Sequence, residues 1–438
     1  MNRQILRIAI PSIVSNITVP LLGLVDLWIS GHLGATAFIG AIAIGSMMFN
    51  MLYWLCGFLR MSTGGFTAQA YGRHDFLTAR SVLRRTLKVS LVIALCFIVL
   101  QEPLLRLSLR LMNATPAVTP FVTTYFRILI YGAPAVLANY VLTGWFIGMQ
   151  NARVPMVASL TQNVVNIVVS LLLTQVWPFQ LVGVAVGTLV AQWSGVAVYA
   201  LALLRLRRRF RTATSDAPSG AADEGLSWGR FFRVNRDIFL RTLCLVAVNV
   251  ATTAAGALQG DLTLAVNALL LQFYTLFSYI IDGFAYAGEA LGGRYYGAGD
   301  ARSFRLLTRR LFLFGGALTL AYSLVYAVGG TPFLRLLTDS ESVVSAATSY
   351  LPYACLIPLA SFAGFLYDGL YIGTTATRQM LVTVLAAAVT FFLLRYTLLP
   401  HLGNDGLWLA FLAFLCMRGL MQTLLYKSIR PKTADGAA

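Results

Sequence analysis

Long apolar runs separated by short polar connections dominate this chain of 438 residues. One helix needs about 20 apolar residues to cross a bilayer, whereas a membrane β-strand alternates polar and apolar positions over about ten. The runs are too long and too uniformly apolar for strands, so we predict an all-α integral membrane protein with twelve transmembrane helices. The predicted spans are 8–30, 37–61, 84–101, 121–149, 156–177, 181–204, 238–258, 263–291, 306–329, 346–373, 380–399 and 406–426.

Positive charge is concentrated in alternate connections between these runs, and the formal net charge is +17. In a soluble protein this charge would suggest nucleic-acid binding. Only 11% of the residues are charged, against about 25% in a soluble domain, so no polar basic domain remains to bind nucleic acid. Lysine and arginine mark the cytoplasmic loops of membrane proteins. We therefore predict a multi-pass protein with both termini in the cytoplasm and no nucleic-acid partner.

The chain repeats itself at a shift of 225 positions: Tyr71–Asp75 reappears as Tyr296–Asp300. The same shift superimposes arginines, tyrosines and glycines further along the two halves. Asp75 and Asp300 each follow a glycine-containing turn and precede an arginine-rich run. Aspartate at such a position predicts the N-cap of a helix, here the helices of the third and ninth spans.

This repeat predicts two lobes built from the same unit, because membrane transporters are often assembled from duplicated halves around a central cavity. We expect an N-terminal six-helix lobe at 1–204, a flexible cytoplasmic basic linker at 205–237 and a C-terminal six-helix lobe at 238–438. Each half contains an even number of spans. The two six-helix bundles are therefore expected to be related by a pseudo-twofold axis along the membrane normal.

Asp26 lies inside the first apolar run, in a helix that also contains Pro11 and Pro20. A carboxylate at the bilayer centre costs roughly 2.5–3.5 kcal/mol, so such groups usually face a cavity. Each proline removes a backbone hydrogen bond and allows the helix to bend. Two interpretations stay open: an interfacial aspartate that reaches outward, or a carboxylate that exchanges a proton or binds a cation beside a bendable helix.

Three more acids lie within apolar runs of the second half. Asp368 and Asp282 are the candidates for a cavity in the second lobe. Glu289 follows Asp282 by seven residues and so lies on much the same helix face. Because Glu289 is close to the cytoplasmic end of its run, we interpret it as solvated.

Neutral polar residues are found within spans of the first half. Asn166 and Ser170 are four residues apart and share one face of the fifth span. Hydrogen bonds between helices would explain such residues. Alternatively, they could form an oxygen-rich pocket with Asp26 for a proton or a hard cation such as Na⁺. The complete set is Asn139, Asn163, Asn166, Ser170 and Thr188.

The sequence contains no motif of a known enzyme class, such as HExxH, a nucleophile elbow or a phosphate-binding loop. Its five cysteines each lie alone in an apolar run, so neither a disulfide framework nor a zinc site is indicated. We therefore expect a protein that is not an enzyme and that needs no metal or cofactor beyond a coupling ion.

Several ordered motifs resemble the multidrug and toxic compound extrusion (MATE) transporters, and most closely their DNA-damage-inducible F (DinF) branch. The N-terminal Ile10-Pro11-Ser12, Val19–Asp26 and Gly31–Gly34 look like the start of that family. Gln69–Gly72 and Gly293–Asp300 are similar to its paired cytoplasmic loops, and Asp368-Gly369 to the tenth span of the branch. The resemblance covers essentially the whole chain.

The resemblance implies twelve helices in two bundles, with a cavity that alternates between the membrane faces. It implies export of organic, often cationic or amphipathic compounds from a bacterial inner membrane, driven by H⁺ or Na⁺. Asp26 would be the coupling residue, with Asn166, Thr188 and Asn139 as its partners. Ser170 stands where some members carry a second carboxylate, which favours H⁺ over Na⁺. The seventh span also lacks the acid of other branches, which makes Asp368 and Asp282 less secure as coupling residues.

The alternative is a lipid-linked oligosaccharide flippase with a related bundle plan. Its anionic substrate would need arginines in the cavity, and five arginines lie at or inside the limits of the predicted spans. The intramembrane acids and the twelve spans argue against the flippase. We expect small organic substrates and the lipid bilayer as partners, and a protein that functions as a monomer. The five arginines at or inside the span limits are Arg60, Arg127, Arg241, Arg395 and Arg418.

Overall fold

The computed structural model describes residues 1–31, 36–112, 115–177, 179–213 and 227–431. Within its helices the side chains of residues 19–24, 26–27, 30–31, 36 and 207–213 are not described. Every regular element in the described ranges is helical, which confirms the predicted all-α fold.

Among the described residues, nine helices begin before the predicted linker, and the last of them extends into it. A 3-10 turn at Ile130–Gly132 joins α6 to α7, and a π-helical turn at Leu172–Val176 ends α8. The helices are α1 (Asn2–Gly31), α2 (Thr36–Leu55), α3 (Phe58–Gly72), α4 (Phe76–Val99), α5 (Gln101–Leu111), α6 (Thr119–Leu129), α7 (Ala133–Gly148), α8 (Arg153–Leu171) and α9 (Gln180–Ala213).

Within the described residues from 227 to 431 there are seven helices, the first of which begins inside the predicted linker. A 3-10 turn at Leu425–Ile429 ends the last of them. They are α10 (Trp228–Leu258), α11 (Asp261–Gly297), α12 (Ala301–Leu337), α13 (Glu341–Ser349), α14 (Leu351–Gly373), α15 (Thr377–Leu402) and α16 (Asn404–Leu424).

The number of helical segments that could cross a membrane is close to the predicted twelve. Among the described residues, ten helical segments are long and apolar enough to cross a membrane. An eleventh is the pair α4 and α5, which is bent by 72°. The first predicted span coincides with α1. The third predicted span, 84–101, was too short, because α4 begins at Phe76 with an arginine-bearing segment that hydropathy alone does not recognise.

The helices of the third and ninth predicted spans, α4 and α12, both begin with the predicted cap. The Oδ1 of Asp75 accepts a hydrogen bond from the backbone N–H of Thr78 at 2.9 Å. The Oδ1 of Asp300 accepts one from the N–H of Ser303, also at 2.9 Å. Hydrogen bonds from the side chain and the backbone of Ser303 lower the pKa of Asp300 below its ordinary value. The N-cap prediction is therefore confirmed at both positions.

The repeat also extends to unusual backbone conformations. His74 has a φ of 57° and Gly299, which lies 225 positions later, has a φ of 71°. Gln150 has a φ of 63° and Thr375, again 225 positions later, has a φ of 53°. These four residues occupy the left-handed region, which non-glycine residues rarely adopt. The two halves therefore share turn geometry even where their residues differ.

Packing divides the chain into two units. The first contains Met1–Ile13, Ala68–His74 and Gly229–Ala438, and the second contains Val14–Thr67 and Asp75–Trp228. Each unit has an apolar core of its own, and buried aromatic residues fill both. Tyr125, Phe126 and Phe146 lie in the core of the second unit, and Phe273, Trp408 and Phe411 in that of the first.

Helices occupy both ends of the predicted linker 205–237. Helix α9 continues through the basic residues to Ala213, and α10 begins at Trp228. The part of the linker between these two helices, at 214–226, lies outside the described residues.

Candidate functional site

Asp26 belongs to α1, and its side chain lies outside the described part of the structure, as does that of Pro20. The helix continues from Asn2 to Gly31 through the positions of Pro11 and Pro20. The proposed role of Asp26 in ion coupling therefore stays a prediction.

The polar residues of α8 face α9 within the second unit. The Nδ2 of Asn166 donates a hydrogen bond to the Oγ1 of Thr188 at 2.9 Å. Ser170 lies one turn further along α8, and a methyl group added to Gly187 would come within 2.1 Å of its Oγ. Both Asn166 and Ser170 are fully buried. The shared face predicted from their spacing is therefore the face that packs on α9.

Asn139 contacts the same face of α9. Its Nδ2 donates a hydrogen bond to the backbone oxygen of Gln192 at 3.0 Å. Gln192 follows Thr188 by four residues, so both lie on one face of α9. Sequence reasoning missed Gln192, although its spacing from Thr188 was a usable signal. Three helices, α7, α8 and α9, therefore contribute to one polar cluster.

The polar cluster is rich in acceptors that have no donor. Four side-chain oxygens are buried and have no hydrogen-bond partner among the described residues. Such atoms are rare in folded proteins and indicate a bound water, an ion or a functional site. Because neutral oxygens are suitable ligands for a hard cation, the cluster could hold one. The four are Oδ1 of Asn139, Oδ1 of Asn166, Oγ of Ser170 and Oε1 of Gln192.

Asn163 connects α8 to the helix that carries Asp26. Its Nδ2 donates a hydrogen bond to the backbone oxygen of Thr18 at 3.0 Å, and the hydroxyls of Thr18 and Ser159 are 3.0 Å apart. Asp26 follows Thr18 by eight residues, which is about two helical turns. Interhelical hydrogen bonding therefore accounts for Asn163, and it fixes α1 against α8 near the candidate coupling residue.

Asp368 is the centre of a buried ionic network in the first unit. Arg241 of α10 and Arg418 of α16 both donate to its Oδ2, and the Nε2 of Gln422 donates to its Oδ1 at 2.6 Å. Asp368 is 5% exposed. The sequence placed Asp368 in a cavity as an isolated acid and did not predict these partners. Each arginine lies inside an apolar run, which was the available signal.

This network bears on whether the intramembrane arginines are available to bind an anionic lipid. Arg241 and Arg418 are both buried and share the carboxylate of Asp368. Arg127 forms an exposed ion pair with Glu102, with 2.7 Å between Nη2 and Oε1. Three of the five arginines that could have bound an anionic lipid therefore already have a carboxylate partner.

The two remaining candidate acids of the second half, Asp282 and Glu289, both lie on α11. Asp282 is half-buried, whereas Glu289 is fully buried, so the interpretation of Glu289 as solvated is wrong. Helix α11 continues two turns beyond Glu289, to Gly297, and its backbone at Glu289 packs closely on Gly373. Among the residues that the structure describes, no cluster of three or more His, Cys, Asp or Glu could hold a metal ion.

Comparison with known proteins covers nearly the whole chain. A family model described as MatE matches residues 11–172 and 238–397. The chain is 36% identical over 431 residues to the DNA damage-inducible protein F of Escherichia coli (strain K12), covering 97% of this chain and 92% of that protein. It is 18% identical over 391 residues to the multidrug export protein MepA of Staphylococcus aureus (strain NCTC 8325), covering 88% of this chain and 85% of that protein.

Solved structures have the same fold. A MATE crystal structure in the straight conformation superimposes with a TM-score of 0.85 at 19% identity, covering 97% of this chain and 95% of that one. An outward-facing multidrug resistance MATE family transporter of the MOP superfamily gives a TM-score of 0.83 at 18% identity, covering 98% and 96%. At these identities the likeness establishes the fold.

Proposed function

Because the chain belongs to the MatE family of multidrug and toxic compound extrusion transporters, we propose that it exports organic, often cationic or amphipathic compounds in exchange for a coupling cation. We place it as a monomer in a bacterial inner membrane, with both termini in the cytoplasm. Its transport cycle is alternating access, to which a duplicated membrane unit is suited.

The observation that carries this proposal is the polar cluster of α7, α8 and α9. Four buried oxygens there have no hydrogen-bond partner among the described residues, and neutral oxygens of this kind are suitable ligands for a hard cation or a water. The hydrogen bonds of Asn163 and Ser159 to α1 bring the helix of Asp26 to the same unit. We propose that Asp26 is the titratable group of this coupling and that the polar cluster supplies neutral ligands.

We favour H⁺ over Na⁺ as the coupling ion. The side chains of the cluster are amides and hydroxyls, and Ser170 occupies the position of a second carboxylate in some family members. A proton needs one titratable group, which Asp26 supplies, whereas Na⁺ is held better where several anionic oxygens converge. Burial would raise the pKa of such a carboxylate towards neutrality and let it exchange protons.

The test uses purified protein in liposomes with a cationic dye and an imposed gradient of pH or of Na⁺. Wild type is expected to transport the dye in exchange for protons that move in the opposite direction, down the imposed proton gradient. Asp26→Asn removes the titratable group, so this variant should lose coupling while its thermal stability stays near that of wild type. Asp261→Asn is the matched control, since Asp261 is exposed at the start of α11.

Two outcomes would contradict the proposal. One is wild-type transport that continues unchanged when the H⁺ and Na⁺ gradients are both collapsed. The other is tight binding of a lipid pyrophosphate without dye transport, which would support the flippase. Transport driven by Na⁺ alone would keep the exporter and reverse the choice of ion.

A further inference from the structure

The ends of α3 and α11 cross at backbone distance through two equivalent contacts. A methyl group added to Gly72 would lie 2.0 Å from the backbone oxygen of Arg294, and one added to Gly297 would lie 2.2 Å from that of Gln69. Gly72 and Gly297 are 225 positions apart, and so are Gln69 and Arg294. The contact is therefore reciprocal: each half of the sequence supplies the glycine of one contact and the carbonyl of the other.

A third helix end closes on the same place. A methyl group added to Gly293 would lie 2.5 Å from the Cβ of Ala68 and 2.9 Å from the backbone oxygen of Gly373, at the end of α14. One added to Gly373 would lie 2.4 Å from the backbone oxygen of Glu289. Only glycine allows such distances, so the ends of α3, α11 and α14 are packed without space for a side chain.

Gln69 adds a polar latch to this packing. Its side chain is 4% exposed, and its Nε2 donates to the backbone oxygen of Gly373 at 2.9 Å and to the Oγ1 of Thr375 at 3.1 Å. Arg230 donates to the same Thr375 oxygen at 3.1 Å. The latch thus ties the end of α3 to the turn that follows α14.

The segment Ala68–His74 belongs to the first unit, whereas the preceding residues of the same helix, Phe58–Thr67, belong to the second. This short segment therefore packs on helices of the first unit through the contacts described above. Polar contacts and glycine contacts of this kind separate at modest cost, since they bury little apolar side-chain surface. Alternating access requires such a contact at each end of the transport path.

We infer that Gln69, Gly72 and Gly297 form the closure of the transport path at the helix ends that carry the basic loops, and that this closure separates when the path opens to that side. The inference rests on the proposed export function for its role in transport. The closing contact itself is tested independently of transport.

The first experiment cross-links the closure. In a variant without the native cysteines, Gln69→Cys and Thr375→Cys are joined by a short, reducible bifunctional reagent. Cross-linking should abolish dye export, because the path can then no longer open. Reduction of the reagent should restore export. The control pair is Thr308→Cys with Tyr426→Cys, whose native hydroxyls are 2.9 Å apart within the first unit. The native cysteines to be replaced are Cys56, Cys96, Cys244, Cys355 and Cys416.

Undiminished export by the cross-linked pair would overturn the inference, as would equal inhibition by the control pair. If no variant and no wild-type protein exports a dye, the proposed function fails, and the closure is then decided by the second experiment.

The second experiment measures access to the closure. A single cysteine replaces Ala70, which is fully buried beside Gln69, and is labelled with a membrane-impermeant maleimide from the side of the basic loops. Gln69→Leu removes two hydrogen bonds and should raise the labelling rate about 10-fold. The matched control is Gln259→Leu, since the Nε2 of Gln259 donates to the backbone oxygen of Ala255 four residues earlier. Labelling that is unchanged in Gln69→Leu would overturn the inference whether or not the protein transports.

Discussion

At the scale of single residues, the environment of Asp368 decides its role. Two arginines and one glutamine donate to its carboxylate, and all four side chains are buried. A buried ion pair contributes little net stability compared with an apolar replacement, but removing one partner leaves an uncompensated charge. Asp368 is therefore more costly to remove than an acid in contact with water.

We expect Asp368→Leu to lower the free energy of unfolding by about 3–5 kcal/mol, because Arg241 and Arg418 would both lose their buried partner. Arg241→Leu should cost less, since Arg418 and Gln422 still hold the carboxylate. Thermal unfolding in detergent measures both, with the exposed Asp261→Leu as the control. If Asp368→Leu were no more damaging than Asp261→Leu, the network would not be the stabilising contact described here.

At the scale of elements, the start of α12 depends on its cap. The lowered pKa of Asp300 means that its hydrogen bonds to Ser303 favour the ionised form. A group with a lowered folded pKa stabilises the protein above its unfolded pKa of about 4, and this contribution is lost as the pH falls through the folded value.

Asp300→Ala should therefore lower stability by about 1 kcal/mol at neutral pH, the usual value of an N-cap. Its difference from wild type should shrink as the pH falls below the unfolded pKa of about 4, and it should be lost below the lowered pKa of the folded state. Chemical unfolding at a series of pH values measures this, with Asp339→Ala as an exposed control. A difference that stays constant down to pH 3 would contradict a role for the ionised cap.

The turns before α4 and α12 give a second prediction at this scale. Gly299 has a φ of 71° and open space where a Cβ would lie, so Gly299→Ala tests backbone strain alone. We expect it to cost about 1 kcal/mol. His74 has the same conformation, and His74→Gly should relieve that strain and raise the melting temperature slightly. The two substitutions are expected to change the melting temperature in opposite directions. If both lowered it, the two turns would not be equivalent.

At the scale of the whole molecule, the bilayer made most of the fold predictable. Every predicted span is largely helical, although several, including 37–61 and 346–373, extend over two helices. A chain in hydrocarbon must satisfy its backbone hydrogen bonds within each segment, which favours helices. Local rules also worked: the caps at Asp75 and Asp300 and the shared face of Asn166 and Ser170 follow from spacing alone.

Contacts between distant positions could not be predicted in this way. Arg241 and Asp368 are 127 residues apart, and no local rule pairs them. The burial of Glu289 depends on helix ends that lie close in space but far apart in sequence. Gln192 was missed because its importance comes from Asn139 on another helix. The sequence therefore predicted which residues belong to the candidate site, but it predicted only some of the contacts between them.

The pairing of Arg241 with Asp368 also has a consequence for biosynthesis. Arg241 leaves the ribosome 127 residues before its carboxylate partner, which at about 5–20 residues per second is roughly 6–25 s. An unpaired arginine at a helix centre costs about 2.5–3.5 kcal/mol on insertion scales. Arg241 lies near the N-terminal end of its predicted span, so it avoids most of this cost by extending to the lipid headgroups until α14 arrives and the ion pair forms.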